Sequence, residues 1–207
     1  MSLQSSAGND SSFFTISKPG YAEFRDRGSR FLAYAYPIST PEEFKTCLQE
    51  LKKEHPKAVH HCFAYRIGTD GNQFRVSDDG EPSGTAGRPI LGQIDSKQVT
   101  NVAVIVVRYF GGTLLGVPGL INAYKTVTSL ALQVTPVMEK QVEIPCNIQF
   151  DYTRMEPVMS LLKSHNCRII SNENQLFCVI KAGIPKNRLA EVLYKLGEIQ
   201  GVDVQKL

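Results

Sequence analysis

Residues 21–25 and 31–37 alternate large apolar with small or polar side chains, the period of half-buried strands, and Asp26-Arg27-Gly28-Ser29 between them has hairpin-turn composition. Thr40-Pro41-Glu42-Glu43 supplies a hydroxyl cap, a proline at the first helical position and acids in the first turn. Phe44, Cys47, Leu48 and Leu51 follow at helical spacing, so a helix is predicted up to Pro56. Over residues 58–67 the period returns to two, with Val59, His61, Phe63, Tyr65 and Ile67 on one face and His60, Cys62, Ala64 and Arg66 on the other. Asp70-Gly71 turns that strand into a partner at 73–77. A short helix is predicted over 88–94. The run 99–107 is β-branched and apolar on both faces, which places it in the middle of a sheet. Pro118 starts a helix whose inner face reads as Leu120, Tyr124, Val127, Leu130, Ala131 and Val134, up to a break at Pro136.

The remainder reads as strand 141–150, helix 154–164, strand 167–171, a turn at Asn172-Glu173-Asn174, strand 176–182, helix 186–196 and strand 202–205. That order is β-α-β-β-α-β, the ferredoxin-like pattern. Residues 1–12 carry no apolar period and read as a tail. The expectation is an α+β protein of two domains, 13–137 and 138–207, joined through 135–140, without internal repeats.

Composition narrows the possibilities. With 207 residues, 42% hydrophobic and 21% charged, the chain has the make-up of an ordinary soluble protein holding one large or two small cores. No apolar run approaches the ~20 residues that span a bilayer. The polar start lacks the basic and apolar regions of a secretory signal, so a cytoplasmic protein with no membrane partner is expected. Its five cysteines, Cys47, Cys62, Cys146, Cys167 and Cys178, are odd in number and never two residues apart, and they read as reduced and structural. The net charge is only +3, so any grip on nucleic acid has to come from local placement of Lys and Arg.

Two stretches carry more polar and glycine residues than packing requires. The first, Asp78-Asp79-Gly80-Glu81-Pro82-Ser83-Gly84-Thr85-Ala86-Gly87-Arg88-Pro89, lies between apolar segments; the second, Arg108-Tyr109-Phe110-Gly111-Gly112-Thr113-Leu114-Leu115-Gly116-Val117-Pro118-Gly119, follows the most apolar run. Each leads from a strand into a helix and so offers unpaired N–H groups backed by a helix dipole, a setting that suits anions. Gly84, Gly87, Gly111 and Gly112 would let a ligand approach the backbone. Ser83, Thr85 and Thr113 offer hydroxyls, and Arg88, Arg108 and Lys125 offer charge. Phosphate, including a nucleic-acid backbone, is the ligand class that fits. Neither stretch matches a nucleotide-binding loop, which excludes an ATPase or a nicotinamide enzyme and leaves no cofactor to expect. A plain tight turn is the competing reading of each stretch. Asp78, Asp79 and Glu81 have three open roles, in this order: turn and cap acids, ion-pair partners of Arg88 or Arg108, or ligands of a divalent ion, for which no further metal ligand is found.

Elsewhere the chemistry is thinner. His60 and His61 point to opposite faces of one strand and cannot converge on a metal. His60 and Cys62 share a face, where packing neighbours are commoner than a nucleophile pair. His55 and His165 suit helix C-termini. Tyr109 and Phe110 are candidates for stacking on bases, with the alternative that one faces the core, and Arg25, Arg27 and Arg30 are candidate phosphate contacts.

The segment His60-His61-Cys62-Phe63-Ala64-Tyr65-Arg66, the block 78–91 and the block 104–124 (VIVVRYFGGTLLGVPGLINAY) together resemble the YigZ/Impact family over about residues 13–135. The resemblance implies an amino-terminal α+β domain similar to the fourth domain of elongation factor G and to a small-subunit ribosomal protein, followed by a ferredoxin-like domain similar to the factor's fifth. It transfers a motif, Asp78, Asp79, Gly80, Glu81, Pro82, Ser83, Gly84, Thr85, Gly87, Arg108, Gly111, Gly112, Gly116 and Gly119, and no catalytic residue. The reading it favours is a non-catalytic, translation-related regulator that binds RNA or a ribosomal surface through both turns, meeting in one solvent-accessible patch. The alternatives are an enzyme acting on a phosphate-bearing metabolite through the motif acids and a protein-binding module.

Overall fold

The computed structural model describes residues 11–174 and 177–207, and the tail expected over 1–12 lies outside them except for Ser11 and Ser12. The described chain divides into two compact units, Phe13–Lys140 and, with Ser11 and Ser12, Gln141–Leu207.

In the first unit, β2 (Gly20–Asp26) and β3 (Ser29–Pro37) form the expected hairpin, α1 spans Pro41–Glu54, and β4 (His60–Ile67) pairs with β5 (Gln73–Ser77). Helix α2 (Gly87–Ser96), strand β6 (Val102–Tyr109) and helix α3 (Gly116–Gln133) follow. The sheet order is β2-β3-β6-β4-β5, with β6 at the centre as its two apolar faces require. Val102, Val104 and Val106 face one core, closed by Ile90, Ile94, Leu120, Tyr124 and Val127 from α2 and α3. Ala103 and Ile105 face the other, closed by Phe44 and Leu51 of α1. Helix α1 starts as its sequence dictates: the Thr40 hydroxyl accepts from the Glu43 N–H at 3.2 Å, and the Glu43 carboxylate accepts from the Ser39 N–H at 2.6 Å.

Three elements depart from expectation. A strand β1 (Ser12–Ile16), for which no strand is predicted, pairs with β7 (Val137–Gln141), so most of the segment read as linker belongs to a two-stranded ribbon, and of the segment read as tail Ser12 joins it. Helix α3 begins at Gly116, before Pro118, and the stripe it buries includes Ala123, Thr128 and Leu132, while Leu130 and Val134 are exposed.

The second unit contains β8 (Glu143–Phe150), α4 (Met155–Ser164), β9 (Arg168–Asn174), β10 (Cys178–Pro185), α5 (Leu189–Gly197) and β11 (Val202–Lys206). Its antiparallel order, β11-β8-β10-β9, is the ferredoxin-like arrangement. Asn172, Glu173 and Asn174, expected as the hairpin turn, are instead strand residues opposite Ile180, Val179 and Cys178. As β9 is an edge strand, it tolerates a polar stretch that looks turn-like in sequence. Leu176, expected within the next strand, lies outside the described residues.

Candidate functional site

The first motif closes on itself. Helix α2 has Ala86 at its N-cap and therefore no local side chain to satisfy its first N–H groups. Asp78, eight residues upstream, does so: Oδ1 accepts from Ala86 N–H at 3.0 Å and Gly87 N–H at 2.8 Å, and Oδ2 accepts from Gly84 N–H at 2.8 Å. Partial burial works against its ionised form, but these three donors, with the Arg88 charge, hold its carboxyl below the ordinary range. Gly87 has no room for a side chain, since a Cβ there would lie 2.8 Å from the Ser77 nitrogen. The Thr85 hydroxyl donates to the Pro82 carbonyl at 2.7 Å. The expected phosphate cradle at Gly84, Thr85 and Gly87 is thus filled by the protein's own carboxylate and carbonyl.

The other two acids are also engaged. Asp79 accepts from His61 N–H at 2.6 Å through Oδ2, and its carbonyl lies 2.8 Å from His60 Nδ1. Glu81 is buried and accepts from Arg108 Nη1 at 2.6 and 2.9 Å and from the Tyr124 hydroxyl at 2.7 Å. Cys62 Sγ lies 2.9 Å from the Asp78 carbonyl oxygen and 3.2 Å from the Tyr124 hydroxyl, one of which takes its single S–H, and burial pushes both the thiol and the phenol far above their ordinary pKa. Of the three roles open to these acids, capping and ion pairing are those observed. Among the described residues no cluster of His, Cys, Asp or Glu has metal-holding geometry, and each of the three carboxylates accepts at least one hydrogen bond from within the protein.

Arg108 corrects the expectation of a phosphate contact. It is 5% exposed, clamped by Glu81, and its guanidinium carbon lies 5.4 Å from the Phe31 ring centre and 5.7 Å from that of Phe110. Tyr109 is equally occupied: its hydroxyl meets His55 Nδ1 at 2.9 Å, while His55 Nε2 meets the Tyr34 hydroxyl at 2.8 Å. Phe110 is the aromatic left half-exposed, at 52%.

The two motifs do meet, but through the interior, along Glu81–Arg108 and Glu81–Tyr124. The second turn reaches solvent over most of its length. Phe110, Gly111, Gly112, Thr113, Leu114, Gly116 and Val117 are all exposed, as are Ser83, Arg88 and Lys125. Helix α3 begins with no capping side chain and no acid in its first turn. Gly111 lies against the β2–β3 hairpin tip so closely that a Cβ would overlap the backbone of Gly28 and Ser29, and its N–H donates to the Ser29 hydroxyl at 3.1 Å. This contact sets Arg27, exposed and with positive φ of 44°, beside the second turn. Arg25 and Arg30, by contrast, are paired with Glu23, which the two guanidiniums hold down to a pKa of about 2. Tyr124, Ser29 and His60 were not legible as parts of this arrangement; the hint was that an otherwise apolar helix face carries a hydroxyl opposite the motif.

The Impact N-terminal domain family matches residues 27–132, a span that holds both motifs and the hairpin tip. The chain is 34% identical to IMPACT family member YigZ of Escherichia coli over 86% of this chain and 89% of that protein, and 36% identical to IMPACT family member YvyE of Bacillus subtilis over 73% and 70% respectively. A solved crystal structure of an hypothetical protein superposes with a TM-score of 0.77 at 30% identity, covering 95% of this chain and 98% of that one.

Proposed function

The chain belongs to the IMPACT family, and on that premise we propose that it is a translation-related protein that binds RNA, contacting the phosphate backbone through the second turn and the adjoining hairpin tip. The observation that carries this reading is the seating of Gly111 on Gly28, which gathers Arg27, Gly112, Thr113 and the uncapped start of α3 into one exposed loop cluster. Backbone amides and a guanidinium in one place are what a phosphate diester recognises. The family resemblance, which implies domains similar to those of a translation factor, motivates the setting. The first motif is assigned the scaffold role in this reading, since its donors are already satisfied internally.

Binding of a labelled RNA titrated with salt tests the proposal. Affinity is expected to fall linearly on a logarithmic salt scale, and Arg27→Ala to lower the slope by roughly 0.7–0.9, the contribution of one phosphate contact. Absence of binding at low salt, or binding indifferent to salt, would sink it. A protein partner is the second reading, favoured by Leu114, 81% exposed, and Val117, 51% exposed, on the same surface. Capture that survives ribonuclease treatment separates that case from tethering through RNA.

A further inference from the structure

We infer that the proposed RNA site takes unpaired nucleotides, with the Phe110 ring as a fixed platform on which one base stacks; this rests on the reading of the second turn as the RNA-contacting surface. An exposed phenylalanine normally costs its neighbours nothing and is free to reorient. Phe110 is different: Arg108 lies 5.7 Å from its ring centre, and that guanidinium is itself immobilised by two contacts to buried Glu81, at 2.6 and 2.9 Å. Glu81 is held in turn by Tyr124, whose ring packs edge-on against Phe31 with centres 5.2 Å apart. A chain of buried polar and aromatic contacts therefore runs from the core to one half-exposed ring.

Phe110 is followed by the exposed Gly111 and Gly112, which carry no side chains to obstruct a planar group, and Arg27 flanks the same cluster. Bases in a duplex present only their edges, whereas a single strand or loop presents the π-face that an aromatic platform binds, with a nearby cation taking the phosphate. Arg108 also accounts for the platform's polarity: a cation against one face of a ring leaves the other face for a neutral π-system. The buried motif thereby acquires a function in recognition without touching the ligand, as the support of the residue that does.

The test compares three 12-nucleotide probes by fluorescence anisotropy on the full chain: single-stranded RNA, a blunt RNA duplex and a single strand with abasic positions. Single-stranded RNA is expected to bind about tenfold more tightly than either of the others, Phe110→Ala to remove that preference, and Phe110→Trp to keep it with quenching of the new indole on binding. Equal binding of all three probes, still dependent on salt and on Arg27, would overturn the inference while leaving the RNA reading intact. Failure of every probe to bind would remove both. If Phe110→Ala fails to fold, the abasic probe on the unaltered protein decides: weaker binding than the intact strand supports the platform, and equal binding overturns it.

Discussion

Arg108 and Glu81 are two ionised groups in a place where each alone would be intolerable. Removal of one leaves the other desolvated and unpaired, at a cost of about 3–5 kcal/mol, whereas replacement of both by apolar residues of similar size leaves no stranded charge. Arg108→Ala is therefore expected to lower stability strongly, and Glu81→Leu with Arg108→Met to recover much of the loss, as read by urea unfolding. A double variant no more stable than the single one would contradict this account of the pair. At this scale the sequence leaves two readings of Arg108 open, an anion ligand or an ion-pair partner of the motif acids, and its neighbours do not decide between them; the glutamate 27 positions earlier takes it. Asp78 takes the first of its three readings, the cap: the motif glycines do present amides, and the anion they receive is a side chain of the motif itself.

Among the elements, the contact between two turns is the determining one. Gly111 is required because its α-carbon sits on the backbone of Gly28 and Ser29, not because its dihedral angles are unusual. Gly111→Ala is expected to push the β2–β3 tip away from the second turn and to cost roughly 1–3 kcal/mol, the range for overpacking. The same change should weaken RNA binding even at temperatures where the protein is folded, which calorimetric melting and anisotropy on one sample would check. The strongly periodic elements were legible: α1 from its cap and spacing, β4 from its alternation, β6 from its two apolar faces. Those missed are β1, β7 and the end of β9, which are short or polar and lie at sheet edges or in a two-stranded ribbon, where strand pairing need not leave an apolar signature.

For the molecule as a whole, pH reveals which buried groups must change protonation. His61 is buried, and desolvation, reinforced by the Lys52 charge and opposed by Asp79, lowers its pKa. A depressed histidine contributes stability that is complete above its unfolded pKa of roughly 6.5 and is lost as pH falls through the folded value. The depressed Asp78 carboxyl obeys the same sign, with its contribution complete above roughly 3.9 and lost on further acidification. The melting temperature is expected to be level near neutrality and to descend in two stages on acidification. His61→Gln should remove the upper stage alone; an unchanged upper stage would assign it to another group.

The pairing of β1 with β7 has a consequence for the chain's path. It brings the entry and exit of the first unit side by side, so the intervening 120 residues, 17–136, form a loop pinched at its neck by a backbone ladder. A body closed in this manner is detachable in principle: its natural ends could be fused and new ones opened at an exposed bend, or the whole could be spliced into a host's surface hairpin, with its five-stranded sheet undisturbed.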